Sequence, residues 1–397
     1  MKSRTVCRNF LILVAVSLTM TQTAWAESSS VRTGLNFAGL PLSNYNSDEG
    51  LGYGANVALY NHARGGYTPY FYLTQAEVFL TTRGKDYAFF FFDSPHLIPR
   101  YRLSAEFRFE NDVFSPFYGL GEKTVFREEF TDASSEAFID EHYYSFGRER
   151  LKFTADVQRF VWQKRLRALV GLGIFHTEIT PNTERSLLQE QVPLGIEGGW
   201  TNYVKFGFVY DTRDNEPAPT SGTWSEMIVE ISGGLLGSDY TSRRVTVTDR
   251  RYYRILKNLV YANRVVFEMM DGDVPFYEMS RFSSSFKREE ALGGAKSVRG
   301  VRRNRFIGQT KLFANLELRW TMFRFQKWNQ DFFIATNIFA DIGRVWEENP
   351  TLTLKDFQLA RGGGVRIGWN QNFIVAVDVG NSSEVPLALY IGLGYLY

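Results

Sequence analysis

Cysteine is almost absent from this sequence: its 397 residues contain one, Cys7. Cys7 lies in an N-terminal segment that we expect to be removed, so the remaining chain would have no disulfide, zinc–thiolate site or cysteine nucleophile. Cys7 also precedes the apolar core of that segment, where the lipidated cysteine of a lipoprotein does not occur. The rigidity of the remaining chain must then come from elsewhere, and a closed sheet would provide it.

A long apolar run and a charge excess are also missing. Beyond residue 26 no apolar run approaches the roughly 18 residues of a membrane helix. If Lys2, Arg4 and Arg8 are removed, 42 of the 45 cations remain against 43 acids. This balance argues against nucleic acid as a partner.

Residue patterns for catalysis or metal binding are not found either. The four histidines occur singly, without HExxH spacing, and the sequence has no G-x-S-x-G elbow and no phosphate-binding GK[ST] loop. We therefore predict no enzyme, no cofactor and no metal site. An outer-membrane hydrolase that uses His142, beside Glu141, or His176 is the weakest alternative.

Residues 1–26 have the three parts of a secretory signal peptide. Lys2, Arg4 and Arg8 form the basic region, an apolar core follows from Phe10 to Leu18, and Ala24-Trp25-Ala26 supplies the cleavage site. We expect cleavage after Ala26. A short polar segment, 27–50, would then precede a single barrel domain, 51–397.

Aromatic residues are abundant, with 34 Phe and 21 Tyr. From Leu51 onward apolar and polar residues alternate in runs bounded by turn residues, for example from Leu103 to Glu110 and from Lys311 to Trp320. Such runs predict strands with one apolar and one polar face. Because lipid tolerates only helices and closed sheets, an exported chain of this kind is predicted to be an all-β transmembrane antiparallel barrel in outer-membrane lipid.

Chain length sets the size of this barrel. With roughly 22–24 residues for each strand and its connection, the 371 residues after Ala26 give about 16 strands. The final run predicts one strand from Leu387 to Tyr397, with an uninterrupted apolar face that ends on an aromatic residue. This face is typical of the C-terminal signal that barrels present to their assembly machinery, and its predicted residues are Leu389, Ile391, Leu393, Tyr395 and Tyr397.

The stretch Leu292–Phe306, LGGAKSVRGVRRNRF, is the most informative part of the chain. It contains Leu292-Gly293-Gly294 and Val298-Arg299-Gly300 in a basic segment without acids. It resembles the sixth extracellular loop of the BamA/TamA/FhaC superfamily, whose motif continues with an aromatic where this chain has Val301. The resemblance implies that the loop folds into the barrel and that Arg299 pairs with a carboxylate on the wall.

Two further stretches resemble the same superfamily. Asp211-Thr212-Arg213-Asp214, with the turn that ends at Gly222, is similar to a hairpin motif at a strand end. Phe339-Ala340-Asp341-Ile342-Gly343 is similar to the strand that carries the acceptor for the loop arginine. Period two places Asp341 and Asp378 on lumen faces, so we expect Arg299 to pair with Asp341, with Asp378 as a second acceptor.

In the family, periplasmic POTRA domains precede the barrel, and the short segment 27–50 leaves no room for one, so we expect a barrel-only member. Its implied function is to help polypeptides into or across the outer membrane, through a weak seam between the first and last strands. Polypeptide clients and a periplasmic partner are the implied contacts. A passive pore or receptor barrel is the main alternative.

Overall fold

The computed structural model describes residues 33–67, 69–163, 165–216, 218–285, 289–290, 292–327, 330–347, 355–369 and 373–397. The predicted signal peptide therefore lies outside the described residues. The helices in the described ranges are three single 3₁₀ turns and one five-residue α-helix, Leu187–Gln191. None of them is long and apolar enough to cross a membrane.

Nineteen strands occur in the described residues, and sixteen of them form the wall of one barrel. In chain order the strands are β1 (Leu35–Asn46), β2 (Gly50–Asn61), β3 (Tyr72–Thr81), β4 (Lys85–Ser94), β5 (Tyr101–Pro116), β6 (Ser145–Trp162), β7 (Leu166–Pro181), β8 (Gly199–Trp200), β9 (Tyr203–Asp211), β10 (Gly222–Ser232), β11 (Ser242–Leu256), β12 (Leu259–Gly272), β13 (Arg281–Phe282), β14 (Glu289–Glu290), β15 (Thr310–Lys327), β16 (Gln330–Trp346), β17 (Gln358–Trp369), β18 (Phe373–Ser382) and β19 (Ala388–Leu393).

The wall is formed by antiparallel pairing of neighbours along the chain. The three two-residue strands are additions: β8 pairs with the end of β7, and β13 pairs with β14 inside a loop. Each other strand pairs with the next wall strand, and β1 pairs with β19, which closes the sheet. The prediction of an all-β antiparallel barrel of about sixteen strands is confirmed.

Side chains alternate between an outer and a lumen face, as period two requires. On β5, Phe107 and Phe109 are exposed on the outside, whereas Arg102 and Asp112 are buried inside. On β15, Leu316 and the next alternate residues are exposed outside. The lumen is therefore filled largely by charged and polar groups, and the apolar residues form a belt around the barrel.

The two ends of the barrel differ in the length of their connections. The connections 117–144, 182–202 and 273–309 lie at one end, here called the loop end, and the short connections 163–165 and 257–258 lie at the other, the turn end. In outer-membrane barrels the long loops are extracellular and the short turns are periplasmic. By the alternation of strand directions, β1 begins and β19 finishes at the turn end.

The seam between β1 and β19 is closed over a short distance only. Two residue pairs join these strands, Tyr45 with Ile391 and Asn46 with Tyr390, whereas β1 pairs with β2 along its whole length. Next to them, the backbone N–H of Ser47 donates to the carbonyl oxygen of Leu389 at 3.0 Å. All these contacts lie at the loop end, and the remainder of β1, 35–44, has no strand partner on this side among the described residues.

The barrel begins earlier than the sequence indicates. β1 is a full wall strand, although composition predicts a polar segment over 27–50 and a barrel from residue 51. The pattern of β1 is weak because apolar residues occupy both faces, with Phe37 outside and Leu40 inside, and because Gly39 and Pro41 interrupt it. Period two therefore fails to reveal this strand.

The predicted strand from Leu387 to Tyr397 is wrong at both ends. β19 ends at Leu393, and Gly394 has a φ of +82°, a conformation that glycine adopts without a steric penalty. This turn sends the following residues into the lumen, so Tyr397 is 4% exposed instead of facing outward. Tyr395 likewise lies inside, over the guanidinium of Arg319 at 4.3 Å, and not in an outer aromatic girdle.

The tail after β19 is held by β12 and β15, which are five and four wall strands away from β19. The hydroxyl of Tyr397 donates to the carbonyl oxygen of Ala262 at 3.0 Å, on β12. The guanidinium of Arg319, on β15, donates to the carbonyl oxygen of Tyr397 at 3.3 Å. The tail therefore cannot pair with 35–44 of β1 in this conformation.

The assignment of faces predicts different costs for one new charge on two sides of β5. Phe107→Arg should destabilise the barrel by about 2–4 kcal/mol, because lipid cannot solvate a guanidinium. Ser104→Arg should cost much less, because Ser104 faces a polar cavity in the lumen. Urea unfolding in bilayers, followed by tryptophan fluorescence, measures both. Equal losses would contradict the assignment.

Candidate functional site: a loop bound inside the barrel

Arg299 lies inside the barrel and binds Asp341 on β16. Its Nε and Nη2 donate to the two carboxylate oxygens at 2.8 and 3.0 Å, which is a bidentate pair. The backbone N–H of Arg299 donates to the same carboxylate at 3.1 Å. Arg299 is 1% exposed and Asp341 is fully buried. Such a planar, charge-assisted pair fixes both position and orientation of the loop.

Two further carboxylates complete the surroundings of this guanidinium. Nη1 of Arg299 donates to Glu317 on β15 at 2.7 Å and to Asp378 on β18 at 3.3 Å. Arg319 binds the other oxygen of Glu317 at 2.7 Å, and Arg366 binds both oxygens of Asp378 at 2.8 Å. Three arginines and three acids therefore neutralise one another in charge, while Nη1 of Arg319 and Nε of Arg366 are buried without a hydrogen-bond partner in the described structure.

Wall residues near Arg299 are shaped to receive the loop. The ring of Phe339 lies 3.5 Å from the guanidinium carbon, in a cation–π contact. A Cβ on Gly343 would lie 3.2 Å from Cγ2 of Val298 in the loop, and a Cβ on Gly380 would lie 2.9 Å from the backbone of Arg299. Glycine at these two positions lets the loop approach the wall closely.

The two glycines that precede Arg299 produce the turn of the loop. Gly293 and Gly294 have φ values of +110° and +90°, and Gly300 has +98°. In addition, the hydroxyl of Ser297 accepts a hydrogen bond from the N–H of Gly293 at 2.9 Å. The segment therefore has a fixed conformation and is not an open basic surface loop.

Apolar residues of the loop pack on the wall beside the charged network. Leu292, Val298 and Val301 are almost fully buried in one cluster with Phe313 of β15 and other residues. Val301 stands where the family motif has an aromatic residue, and it packs in this cluster instead. The loop is thus held by buried apolar surface as well as by charge.

The rest of the loop reaches both sides of the seam. Arg303 donates to Asp112 on β5 and, through its backbone N–H, to Asp48 in the β1–β2 turn at 3.1 Å. On the other side, Arg305 pairs with Glu384, in the β18–β19 connection, at 2.6 Å. The N–H of Gly300 donates to the hydroxyl of Tyr390, on β19, at 3.0 Å. The loop therefore ties the two edges of the seam together at the loop end.

The Asp211 hairpin motif lies at the turn end, away from the loop. Arg213 makes a bidentate pair with Asp211 at 3.0 and 3.1 Å, and its guanidinium carbon lies 4.1 Å from the ring of Trp224. Asp214 accepts the N–H of Thr220 at 2.9 Å, and Gly222 opens β10 with a φ of +100°. These contacts order the β9–β10 turn.

A polar cavity of about 180 Å³ lies under the loop, against β5, β6, β7 and β9. Its lining alternates cations, such as Lys152 and Lys205, with acids, such as Glu106 and Asp156. The described residues contain no group of three or more His, Cys, Asp or Glu placed to hold a metal ion. His142 lies in the 117–144 connection beside Phe114, and His176 is on the outer face beside Trp200.

The structure places Arg299 beside Asp341 and Asp378, the residues singled out from the sequence, and adds Glu317, Phe339 and Tyr390, which sequence reasoning misses. Glu317 alternates with the outward-facing Leu316 and Leu318, so the pattern predicts that the side chain of Glu317 faces the lumen. Its proximity to Arg299 depends on strand register, which no local signal shows. The role of these residues in function stays a prediction.

Comparison with known proteins identifies the family of this barrel. A sequence model of the Omp85 superfamily domain matches residues 72–376. This match covers well over half of the chain, and the chain belongs to the Omp85 superfamily. It is an outer-membrane β-barrel of a family engaged in protein transport or assembly. No curated protein sequence matches the chain.

Solved structures show the same fold at low sequence identity. BamA from Haemophilus ducreyi, lacking POTRA domains 1–3, is 14% identical with a TM-score of 0.60, over 96% of this chain and 78% of that one. CdiB from Escherichia coli is 9% identical with a TM-score of 0.59, over 93% and 64%. CdiB from Acinetobacter baumannii is 13% identical with a TM-score of 0.50, over 92% and 61%. The chain thus spans less than two thirds of either CdiB.

Because the side chains of the Arg299 network are buried, their contribution to the free energy of unfolding should be large. Arg299→Ala should lower the free energy of unfolding by about 3–5 kcal/mol, because it leaves the buried carboxylate of Asp341 without its cation. Asp341→Asn should cost less, because Glu317 and Asp378 still bind the guanidinium. Exchanging the charges of Arg299 and Asp341 in a double variant should not restore stability, because a carboxylate at position 299 would lie against Glu317 and Asp378. Urea unfolding measures all three.

Arg185→Ala provides the control, because this arginine is exposed in a connection at the loop end. Its loss should change stability by about 0–1 kcal/mol. If Arg299→Ala is no more damaging than Arg185→Ala, the buried network does not hold the loop.

Proposed function

We propose that this barrel assists the insertion or translocation of polypeptides at the outer membrane. A client segment in extended conformation would pair with the free edge of β1. The observation that carries the proposal is the mismatch within the seam, where two residue pairs join β1 to β19 while ten residues of β1 have no partner on that side in the described structure. An open edge is a template for β-augmentation.

The composition of β1 suits an edge that stays open. Pro41 lies within the strand, and proline in sheets is confined to edge strands, strand starts or bulges because it donates no ladder hydrogen bond. Phe37, on the outer face, is 71% exposed. An exposed aromatic next to unpaired backbone offers a client both hydrogen bonds and apolar surface.

The location of the opening indicates the direction of entry. The seam is closed at the loop end by residue pairs and by the bound loop, and it is open at the turn end, which is the periplasmic end in outer-membrane barrels. A client would therefore enter from the periplasm, and a separate periplasmic partner could deliver it. The barrel's own biogenesis would use the assembly machinery that other outer-membrane barrels use.

Site-specific photocrosslinking tests this proposal. A photoreactive phenylalanine at position 37 should form adducts with newly exported polypeptides in living cells, because Phe37 lies on the free edge. The same substitution at Phe107 is the matched control, since that residue is 50% exposed on the outer face of β5, away from the seam. Mass spectrometry of the adducts would name the clients.

Adducts at neither position, together with a steady single-channel conductance that changes when Lys152 and Lys205 of the lumen cavity are neutralised, would support a passive pore instead. Depletion of this protein, followed by proteomics of the outer membrane, then measures how many proteins depend on it. Loss of many barrels indicates insertion, and loss of one exported protein indicates secretion. An unchanged proteome would contradict the proposed function.

A further inference from the structure

A polar patch interrupts the apolar outer face of β10, β11 and β12. Asp249 and Arg251 are the eighth and tenth of the fifteen residues of β11, so they lie in the middle of the strand. Strand register places Ser225 beside Asp249 and Asn263 beside Arg251, all on the outer face. We call these four residues the outer polar patch.

The patch is surrounded by apolar side chains and is not part of the barrel rim. On β11 itself, Val247 precedes it and Tyr253 follows it, and both point outward with 41% and 48% exposure. On the flanking strands, Phe208 of β9 and Leu316 of β15 are exposed outward as well. The patch therefore lies within the belt that meets lipid.

Internal contacts satisfy only a part of the patch. Nε of Arg251 donates to Asp249 at 2.7 Å, and the hydroxyl of Ser225 donates to the other carboxylate oxygen at 2.5 Å. The Tyr253 phenol also bonds to the guanidinium. A guanidinium has five N–H donors, and the Arg251 side chain is still 51% exposed. The hydrocarbon of the lipid has no hydrogen-bond acceptors for these N–H groups.

Ionisable side chains at membrane depth generally face the protein interior or a water-filled cavity, where they pair with one another or with backbone carbonyls, and they rarely face lipid. Here the lumen lies on the other side of the wall, so a partner must come from within the membrane. The patch carries a cation, an anion and neutral donors and acceptors side by side. It is therefore complementary to itself, which is what a two-fold contact between identical surfaces requires.

From this arrangement we propose that the outer polar patch is the centre of a dimer interface between two copies of this chain, in which Arg251 of each copy pairs with Asp249 of the other. β10 to β12 are the ninth to eleventh of the sixteen wall strands counted from β1. They thus lie across the barrel from the seam, and a dimer formed there leaves both seams facing lipid.

Disulfide trapping in liposomes tests the interface with the full chain. In a Cys7→Ser background, Val247→Cys puts one thiol next to the patch without changing it. Phe107→Cys is the control, because Phe107 is 50% exposed on the outer face of β5, against 41% for Val247. At high lipid-to-protein ratio, oxidation should give several-fold more covalent dimer with Val247→Cys than with Phe107→Cys.

Adding Asp249→Leu and Arg251→Leu to the Val247→Cys chain should reduce its dimer yield to that of the control, while resistance to SDS and protease shows that the barrel is folded. Single-molecule photobleaching of the unmodified chain should give two steps. Equal trapping at positions 247 and 107, an undiminished yield after the leucine substitutions, or single-step bleaching would each overturn the dimer.

Discussion

The buried guanidinium of Arg299 is the constraint on which the rest of this barrel depends. A lumen filled with charges is stable only if they neutralise one another, and here three arginines and three acids do so around one side chain of a loop. Without that loop, the buried carboxylate of Asp341 would lose the arginine that neutralises it, whereas Glu317 would keep Arg319 and Asp378 would keep Arg366. The loop is therefore a part of the barrel interior, although it belongs to a connection between strands.

This constraint explains why the two ends of the seam differ. The loop that carries Arg299 also binds the β1–β2 turn through Arg303 and the β18–β19 connection through Arg305. These contacts hold the edges together where β1 and β19 pair. At the turn end nothing comparable bridges the described edges, and the tail after Leu393 is turned inward onto Ala262 and Arg319. A barrel can thus be closed and yet carry a free strand edge.

The sequence predicts the barrel, its strand number and the Arg299–Asp341 pair, because each depends on local patterns or on a distinctive motif. Period two marks the faces of β5 and β15 clearly. It fails for β1, where apolar residues occupy both faces, and for the tail, where the apolar alternation continues through Tyr395 and Tyr397 although Gly394 turns the chain. Glu317 and Tyr390 join the site through register and the closure of the sheet, which are properties of the whole fold.

The proposed client edge and the proposed dimer interface lie on opposite sides of the barrel, so one copy can use both surfaces at the same time. Each is a departure from the ordinary outer surface of a barrel, in which the backbone is paired and the side chains are apolar. The seam leaves backbone unpaired, and the outer polar patch exposes charge. The outer surface of the barrel thus has two regions whose polar groups cannot form hydrogen bonds with lipid hydrocarbon.

Hydrogen exchange of the β1 amides in bilayers tests the central claim most directly. If the loop holds only the loop end of the seam closed, amides in 35–44 that point away from β2 should exchange rapidly, while those of Tyr45 and Ser47, which point toward β19, should be protected. Arg299→Ala should remove that protection as well. Uniform slow exchange along β1, unaffected by Arg299→Ala, would contradict the account.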